Sequence, residues 1–265
     1  MSNRMYLYLT NECNKICEYC YQNDHNINYE KEISYADIVD FLKKTLPKQT
    51  ILFGGEPTLK QELIRKIITS FTKTEYIITT NGILLDEMLD IVKNNVFVQF
   101  SINSVEDIKF YDNNNIFYHM TISAENIKNA LLVFKNIKFH NKKIWFSFDR
   151  NLSKNISDEV IKLLKYEVLN NSTLRKNKFS KISGKECFGL YGEQKVLNCI
   201  TGKEYLCTHL MYKGEKNNNI LDCIKECNNK FCDICPCTNI TKNKEYLCET
   251  YKMINKYLGE KNEAI

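Results

Sequence analysis

The residues best equipped for chemistry in this chain are its first three cysteines, in the segment Cys13-Asn-Lys-Ile-Cys17-Glu-Tyr-Cys20. The spacing C-x3-C-x2-C puts three thiolates on one short loop. Three such ligands can hold three irons of a cubane and leave the fourth iron open to a further ligand. Structural zinc wants four ligands, usually as two cysteine pairs, and electron-transfer clusters use four cysteines. Spacing alone therefore leaves two readings: a cluster with an open iron, or a zinc site completed from elsewhere, for instance by His25.

A second motif, Gly54-Gly55-Glu56-Pro57, follows about 35 residues later with one helix between. Two adjacent glycines let the backbone approach a ligand closely. Glu56 adds a carboxylate that could pair with an ammonium group. A Gly-Gly turn after a strand is commonplace, but its occurrence at this distance from a three-cysteine loop is not.

The remaining nine cysteines all lie in the last third: Cys187, Cys199, Cys207, Cys223, Cys227, Cys232, Cys235, Cys237 and Cys248. Met1 to Thr10 lacks the basic-then-apolar layout of a signal peptide, so the reading is a cytoplasmic chain. Twelve cysteines without an export signal point to metal rather than disulfides. The chain has 265 residues, 43% hydrophobic and 26% charged, an ordinary soluble composition with ample length for a core. No run of about 18 apolar residues is present, which excludes a membrane-spanning helix. The net charge of +5 is spread through the chain with Asn and Glu interleaved, unlike the concentrated basic face of a nucleic-acid binder.

These residues need a frame to position them. A strand is expected at 5–9, and a helix from Ser34 with Asp37 in a capping-box position and Pro47 as its stop. A buried strand at 50–53 ends on Gly54-Gly55, and Thr58 with Gln61 opens a second helix. Further strands are expected at 75–79, 96–102, 117–122 and 144–148, with helices over 84–93 and 124–139. Strands alternating with helices indicate βαβ units and a parallel sheet. About six repeats between residues 4 and 170 suit an α/β fold, a partial (β/α)6 barrel, since a full eightfold barrel needs roughly 250 residues. The special residues fall at strand C-terminal ends, where such folds carry their sites: the cysteine loop, Gly54 to Pro57, Thr80-Asn81, Ser101 and Asp149. After residue 171 the periodicity weakens, and residues 172–265 read as a small cysteine-rich appendage with a helix near 244–258.

The three-cysteine loop, the aromatic Tyr19 before its last cysteine and the Gly-Gly-Glu-Pro motif resemble the radical S-adenosylmethionine (SAM) superfamily over roughly residues 4–150. The resemblance implies a [4Fe-4S] cluster on Cys13, Cys17 and Cys20 whose open iron chelates SAM. It implies that Gly54, Gly55 and Glu56 hold the methionine ammonium and that Tyr19 lies near the adenine. Ser101 matches the family's polar contact at the end of the fourth strand, while Asn81 and Ser123 occupy equivalent strand ends. The arginine many relatives carry after the fourth strand is missing from Ser101-Ile-Asn-Ser-Val-Glu-Asp-Ile-Lys. The implied chemistry is reductive cleavage of SAM to a 5′-deoxyadenosyl radical that abstracts hydrogen from an unactivated carbon.

Cys187, then Gly202 and Cys207, resemble the opening of the seven-cysteine SPASM extension of peptide- and protein-modifying members. The closing part departs from that pattern, running Cys223-x3-Cys227-x4-Cys232-x2-Cys235-x-Cys237 and then Cys248. One or two auxiliary [4Fe-4S] clusters are expected, two of them using eight of the nine thiols. A spare thiol such as Cys199 is either a buried structural cysteine or a hydrogen-atom donor. A zinc knuckle on Cys232, Cys235, Cys237 and Cys248 is the third option. The expected activity is maturation of a ribosomally made peptide by thioether or C–C crosslinking or by epimerisation. Expected partners are a peptide or protein substrate, a flavodoxin- or ferredoxin-type reductant, and a separate leader-peptide recognition protein, because the barrel begins at once. The alternatives are an activase of a partner enzyme, of the sulfatase-maturing type, and a zinc-stabilised module that binds protein or nucleic acid.

Overall fold

The computed structural model describes residues 4–17, 19–20, 34–123, 125–148, 194–205 and 211. Strand β1 (Arg4–Tyr8) leads through the cysteine loop to α1 (Tyr35–Thr45). Ser34 caps this helix through a complete capping box with Asp37, and Lys43 and Lys44 fall in its last turn, where they suit the negative end of its dipole. Then come β2 (Gln49–Phe53), a 3₁₀ turn at Pro57–Lys60, α2 (Gln61–Ser70) and β3 (Glu75–Thr80). A second 3₁₀ segment, Leu85–Ile91, leads to β4 (Val96–Ser101) and β5 (Ile116–Ile122). Helix α3 (Ile127–Phe139), β6 (Ile144–Phe148), β7 (Gln194–Asn198) and β8 (Glu204–Tyr205) complete the described elements.

The sheet runs β6-β5-β4-β3-β2-β1-β7-β8. All neighbours pair in parallel except the β7–β8 hairpin. The expected α/β architecture is therefore present, with its first six strands adjacent in chain order. The β4–β5 connection is a turn-rich loop without a helix. Two local expectations change. The segment after β3 is 3₁₀ rather than α-helical. Thr58 does not cap α2, because the chain first passes through the 3₁₀ turn and Glu56 takes the capping role. The strand β7 was not foreseen in the main sheet: its residues 194–198 pair in register with all of β1.

Alternation along the strands sorts the two faces. Met5, Leu7, Leu52, Tyr76, Ile78, Val98, Phe100, Tyr118 and Met120 are buried on the face covered by helices. They pack with Ile38, Phe41 and Leu42 of α1, Ile64 and Ile67 of α2, and Val133, Phe134 and Ile137 of α3. Burying side chains of this size is worth about 1.5–3 kcal/mol each, so this layer holds the helices against the sheet. The opposite, inner face carries half-buried Thr79, Gln99, Ser101, His119 and Thr121. Where β1 meets β7, Tyr8 is buried with Val196, Ile200, Tyr205 and Met211, and its ring meets Phe53 edge-on with centroids 5.4 Å apart. Among the described residues, no helix is long and apolar enough to cross a membrane.

Candidate functional site

Four strand ends converge on the cysteine loop. Directly after β1, Leu9 N donates to Phe53 O at 2.8 Å, continuing the ladder past the strand. Thr10 is buried, and its hydroxyl accepts from Glu12 N at 3.1 Å, turning the chain into the loop. Cys20 N donates to Cys17 O at 3.0 Å, a turn that brings these two residues together. Cys13 is exposed, Cys17 and Cys20 are half-buried, and none of the three forms a disulfide.

The Gly-Gly-Glu-Pro turn at the end of β2 packs directly on this loop. Gly55 N donates to Thr10 O and Glu56 N to Glu12 O, each at 2.7 Å. A Cβ on Gly54 would lie 2.3 Å from Thr10 O, and one on Gly55 2.1 Å from Glu12 O. Both obstacles are backbone atoms, so only glycine permits the approach. The two motifs recognised separately in the sequence are thus one interlocked unit.

Glu56 is 1% exposed and its carboxylate is fully engaged within the protein. Its Oε1 accepts from Thr58 N at 3.0 Å, Thr58 Oγ1 at 2.6 Å and Thr80 Oγ1 at 2.7 Å. Its Oε2 accepts from Asn81 N at 2.7 Å. Glu56 therefore ties the β2 turn to the end of β3. Pro57, as the first residue of the 3₁₀ turn, has no N–H to satisfy there.

Asn81, at the β3 end, reaches the loop. Its Oδ1 accepts from Ile83 N at 3.0 Å, and its Nδ2 donates to Asn14 Oδ1 at 2.8 Å and to Cys13 Sγ at 3.9 Å. Gly82 follows with φ +82°, and a Cβ there would meet the Phe100 ring at 2.1 Å.

The loop after β4 supplies residues that sequence reasoning missed. Asn103 accepts a hydrogen bond from the Tyr19 hydroxyl and donates from Nδ2 to Cys17 Sγ at 3.8 Å. Asp107 Oδ2 accepts from Asn103 N at 2.7 Å and from Ser104 N at 3.1 Å. Its Oδ1 meets Lys15 Nζ, from the middle of the cysteine loop, at 2.8 Å. Burial works to raise the Asp107 carboxyl, but Lys15 and the two backbone donors outweigh it and hold the group below its usual range. Burial, with Cys17 alongside, pushes the Tyr19 phenol above its ordinary value despite the Asn103 bond. Asn103 and Asp107 thus reach the cysteine loop from the segment after β4, which carries no arginine.

Of the other expected contacts, Ser101 ends β4 on the inner face and pairs in register with His119 of β5. Desolvation lowers the His119 imidazole to about 4, so it is neutral at physiological pH. Ser123 is buried and turned toward the entry of α3: its N donates to Asn126 Oδ1 at 2.8 Å and its Oγ accepts from Asn126 N at 3.4 Å. Cys199 is 3% exposed in the main core, with its N donating to Tyr8 O at 2.9 Å. This is the packing of a structural thiol. His140 stacks on Phe110 at 3.7 Å between centroids. Cys187, Cys207, Cys223, Cys227, Cys232, Cys235, Cys237, Cys248, His25, His209, Asp149 and Arg150 lie outside the described residues, as do the 171/172 boundary and the helix near 244–258.

The described residues thus form a parallel-dominated α/β sheet with a three-cysteine loop at its strand ends. The sequence model of the Radical SAM superfamily matches residues 7–147, more than half of the chain. The chain belongs to that superfamily and is a radical SAM enzyme; the superfamily's cofactors are a [4Fe-4S] cluster and SAM. A GTP 3',8-cyclase of Clostridium perfringens is 32% identical over 112 residues, covering 38% of this chain and 35% of the relative. The radical SAM cyclopropyl synthase TigE of Paramaledivibacter caminithermalis is 25% identical over 167 residues, 53% of this chain and 34% of TigE. The chain thus spans about a third of the length of these curated relatives. Native anSMEcpe, solved with bound AdoMet and the Cp18Cys peptide, shares the fold with a TM-score of 0.64 at 17% identity, covering 97% of this chain and 96% of that one.

The residues present fit the superfamily's cluster. Thiolates are soft donors of the kind iron–sulfur clusters take, and two side-chain amides point N–H groups at two of them. Among the described residues, no three His, Cys, Asp or Glu side chains converge on one point as a single ion requires. A cubane asks for something else, since each thiolate meets its own iron.

Proposed function

We propose that Cys13, Cys17 and Cys20 ligate the SAM-binding [4Fe-4S] cluster and that the enzyme modifies a peptide or protein. The observation that carries the first half is the interlock of the cysteine loop with Gly54 and Gly55. It leaves the loop no freedom to drift from the turn that would face the methionine end of SAM. When bound, the cluster supplies the electron that cleaves SAM; the protein supplies binding, orientation and exclusion of water. In this reading the backbone at Gly54 and Gly55 approaches the methionine ammonium, while Glu56 braces that turn from beneath. Tyr19, Asn81 and Ser101 flank the adenosine side, and Ser123 contributes by fixing the entry of α3. His119, neutral and beside Ser101, offers the inner face one donor and one acceptor.

The peptide half rests on the nine C-terminal cysteines, read as an auxiliary-cluster region of the SPASM kind on 172–265. Cys187, Cys207, Cys223, Cys227, Cys232, Cys235, Cys237 and Cys248 are its proposed ligands, in one or two clusters. The fold shared with a protein solved holding a peptide is compatible with it. A flavodoxin- or ferredoxin-type donor, a separate recognition protein and a reducing, cytoplasmic setting complete the proposal. A second reading, action on GTP, is favoured by the sequence relatives named as GTP 3',8-cyclases.

One experiment separates the two. The anaerobically reconstituted, reduced enzyme is incubated with SAM and either GTP or the short peptides encoded beside its gene. Formation of 5′-deoxyadenosine with a mass change in a peptide supports peptide modification. GTP consumption coupled to SAM cleavage overturns it. Cys17→Ala is expected to abolish SAM cleavage in either case, and turnover by that variant would overturn the ligand assignment.

A further inference from the structure

Two asparagines aim side-chain N–H groups at the sulfurs of Cys13 and Cys17; at Asn81 the surrounding backbone fixes which end of the amide faces the sulfur, and at Asn103 the acceptor character of a ligated thiolate does. At Asn81 the Ile83 N–H can only donate, so Oδ1 must face it, and Nδ2 is left pointing at Cys13 Sγ, 3.9 Å away. In that orientation the same Nδ2 also donates to Asn14 Oδ1 at 2.8 Å. At Asn103, Nδ2 lies 3.8 Å from Cys17 Sγ while Oδ1 accepts the Tyr19 hydroxyl. A metal-bound thiolate accepts and cannot donate, so the amide presents its N–H₂ to it. Asn103 is itself pinned, because its backbone N donates to Asp107 and Asp107 pairs with Lys15.

We infer that the side-chain amides of Asn81 and Asn103 hydrogen-bond the cluster sulfurs of Cys13 and Cys17 and raise the reduction potential of the SAM-binding cluster. The inference rests on the ligand assignment proposed above. One electron enters the cluster from a low-potential one-electron carrier; no bond to protein forms or breaks, and the cluster gains one negative charge spread over its irons and sulfurs. An N–H dipole aimed at a ligand sulfur stabilises that added charge more than it stabilises the oxidised cluster. Cys17 is half-buried while Cys13 is exposed, so water screens the Asn103 donor less than the Asn81 donor. The two donors come from the ends of neighbouring strands β3 and β4 and act on different cysteines, so their effects should add.

The test is an EPR-monitored redox titration of reconstituted enzyme, with dithionite as reductant and iron analysis alongside. Asn81→Leu and Asn103→Leu remove the donor without adding charge. Each is expected to lower the one-electron reduction equilibrium constant about tenfold, a shift of about 59 mV, with iron content unchanged and the double variant near the sum. Asn81→Asp and Asn103→Asp keep an oxygen for Ile83 N and for Tyr19 while losing the donor, and serve where a Leu variant does not take up iron. They are expected to fall further, because a charge is added. Variants that hold the cluster at the parent potential overturn the inference and leave the ligand assignment standing. Loss of the cluster from both variants at a position makes that asparagine a structural clamp and overturns its tuning role. A parent protein that takes up no cluster overturns both.

Discussion

The interlock between Gly55 and the cysteine loop can be tested by a single methyl group. In Gly55→Ala the new Cβ would stand 2.1 Å from Glu12 O, 2.6 Å from Glu12 C and 2.8 Å from Asn11 O. Ordinary contact begins near 3.4 Å, so the two backbones would have to part by about 1.3 Å. No side chain can rotate away, since every obstacle is main chain. Overpacking of this kind costs about 1–3 kcal/mol. Parting the segments also strains the Gly55–Thr10 and Glu56–Glu12 hydrogen bonds, worth about 0.5–1.5 kcal/mol each. A local penalty of up to about 2–6 kcal/mol follows. The loop can escape it by lifting off the turn, because the helix-covered core does not depend on it. The expected result is a protein with parental circular dichroism that binds SAM at least tenfold more weakly, by calorimetry on the reconstituted enzyme. Gly54→Ala, against Thr10 O at 2.3 Å and at φ +156°, should behave alike. SAM affinity and iron content within twofold of the parent in both variants would refute the claim that the loop and turn are held in this register.

Glu56→Gln places an amide N–H₂ among four donors, and one buried N–H pair must then face another. Stability should fall by about 1–3 kcal/mol in urea denaturation at neutral pH. Asp107 is held below the usual carboxylate range in the folded state, so its contribution is present above the unfolded pKa and lost as pH falls through the folded one. Asp107→Asn should therefore cost stability at neutral pH, and its denaturation curves should converge with the parent's in acid. His119 runs the other way chemically: a base lowered to about 4 leaves the unfolded state binding more protons between about 6.5 and 4, so stability drops across that window as pH falls. His119→Gln should flatten that part of the stability–pH profile.

What the sequence revealed of the site follows the range of the interactions. The C-x3-C-x2-C loop and the Gly-Gly-Glu-Pro turn are local patterns, and both were legible. So were the capping box at Ser34 and the period-2 strands, because propensity and burial agree there. The Asn103, Asp107 and Lys15 group was not legible. Lys15 and Asp107 are separated by 92 residues and Tyr19 and Asn103 by 84, and no single-chain pattern marks such pairs. Glu56 was read as a ligand-facing carboxylate from its motif, and its burial among Thr58, Thr80 and Asn81 became visible only in three dimensions. Strand β7 escaped notice because Gln-Lys-Val-Leu-Asn carries little apolar signal of its own. Its place is set by pairing with β1 and by the cover that Tyr205 and Met211 give to Tyr8.

The arrangement divides labour between short-range and long-range residues. Cysteines on a loop can supply ligands, but a loop has few buried apolar contacts to hold it. Here each neighbouring strand end ties it down: Gly55 and Glu56 from β2, Asn81 from β3, and Asn103 and Asp107 from the loop after β4. Glu56 then links the first tie to the second through Asn81 N, so displacing β2's turn also disturbs β3's end. A perturbation at Gly55 should therefore reach Asn81 and the Cys13 sulfur it faces. The consequence is measurable: Gly55→Ala, which changes no charge and leaves every cysteine and both tuning amides in the sequence, should still shift the potential of the cluster-bearing protein downward, by less than Asn81→Leu does. An unchanged potential in Gly55→Ala would mean that Asn81 is held by Asn14 and Ile83 alone, and that the strand ends act on the loop independently.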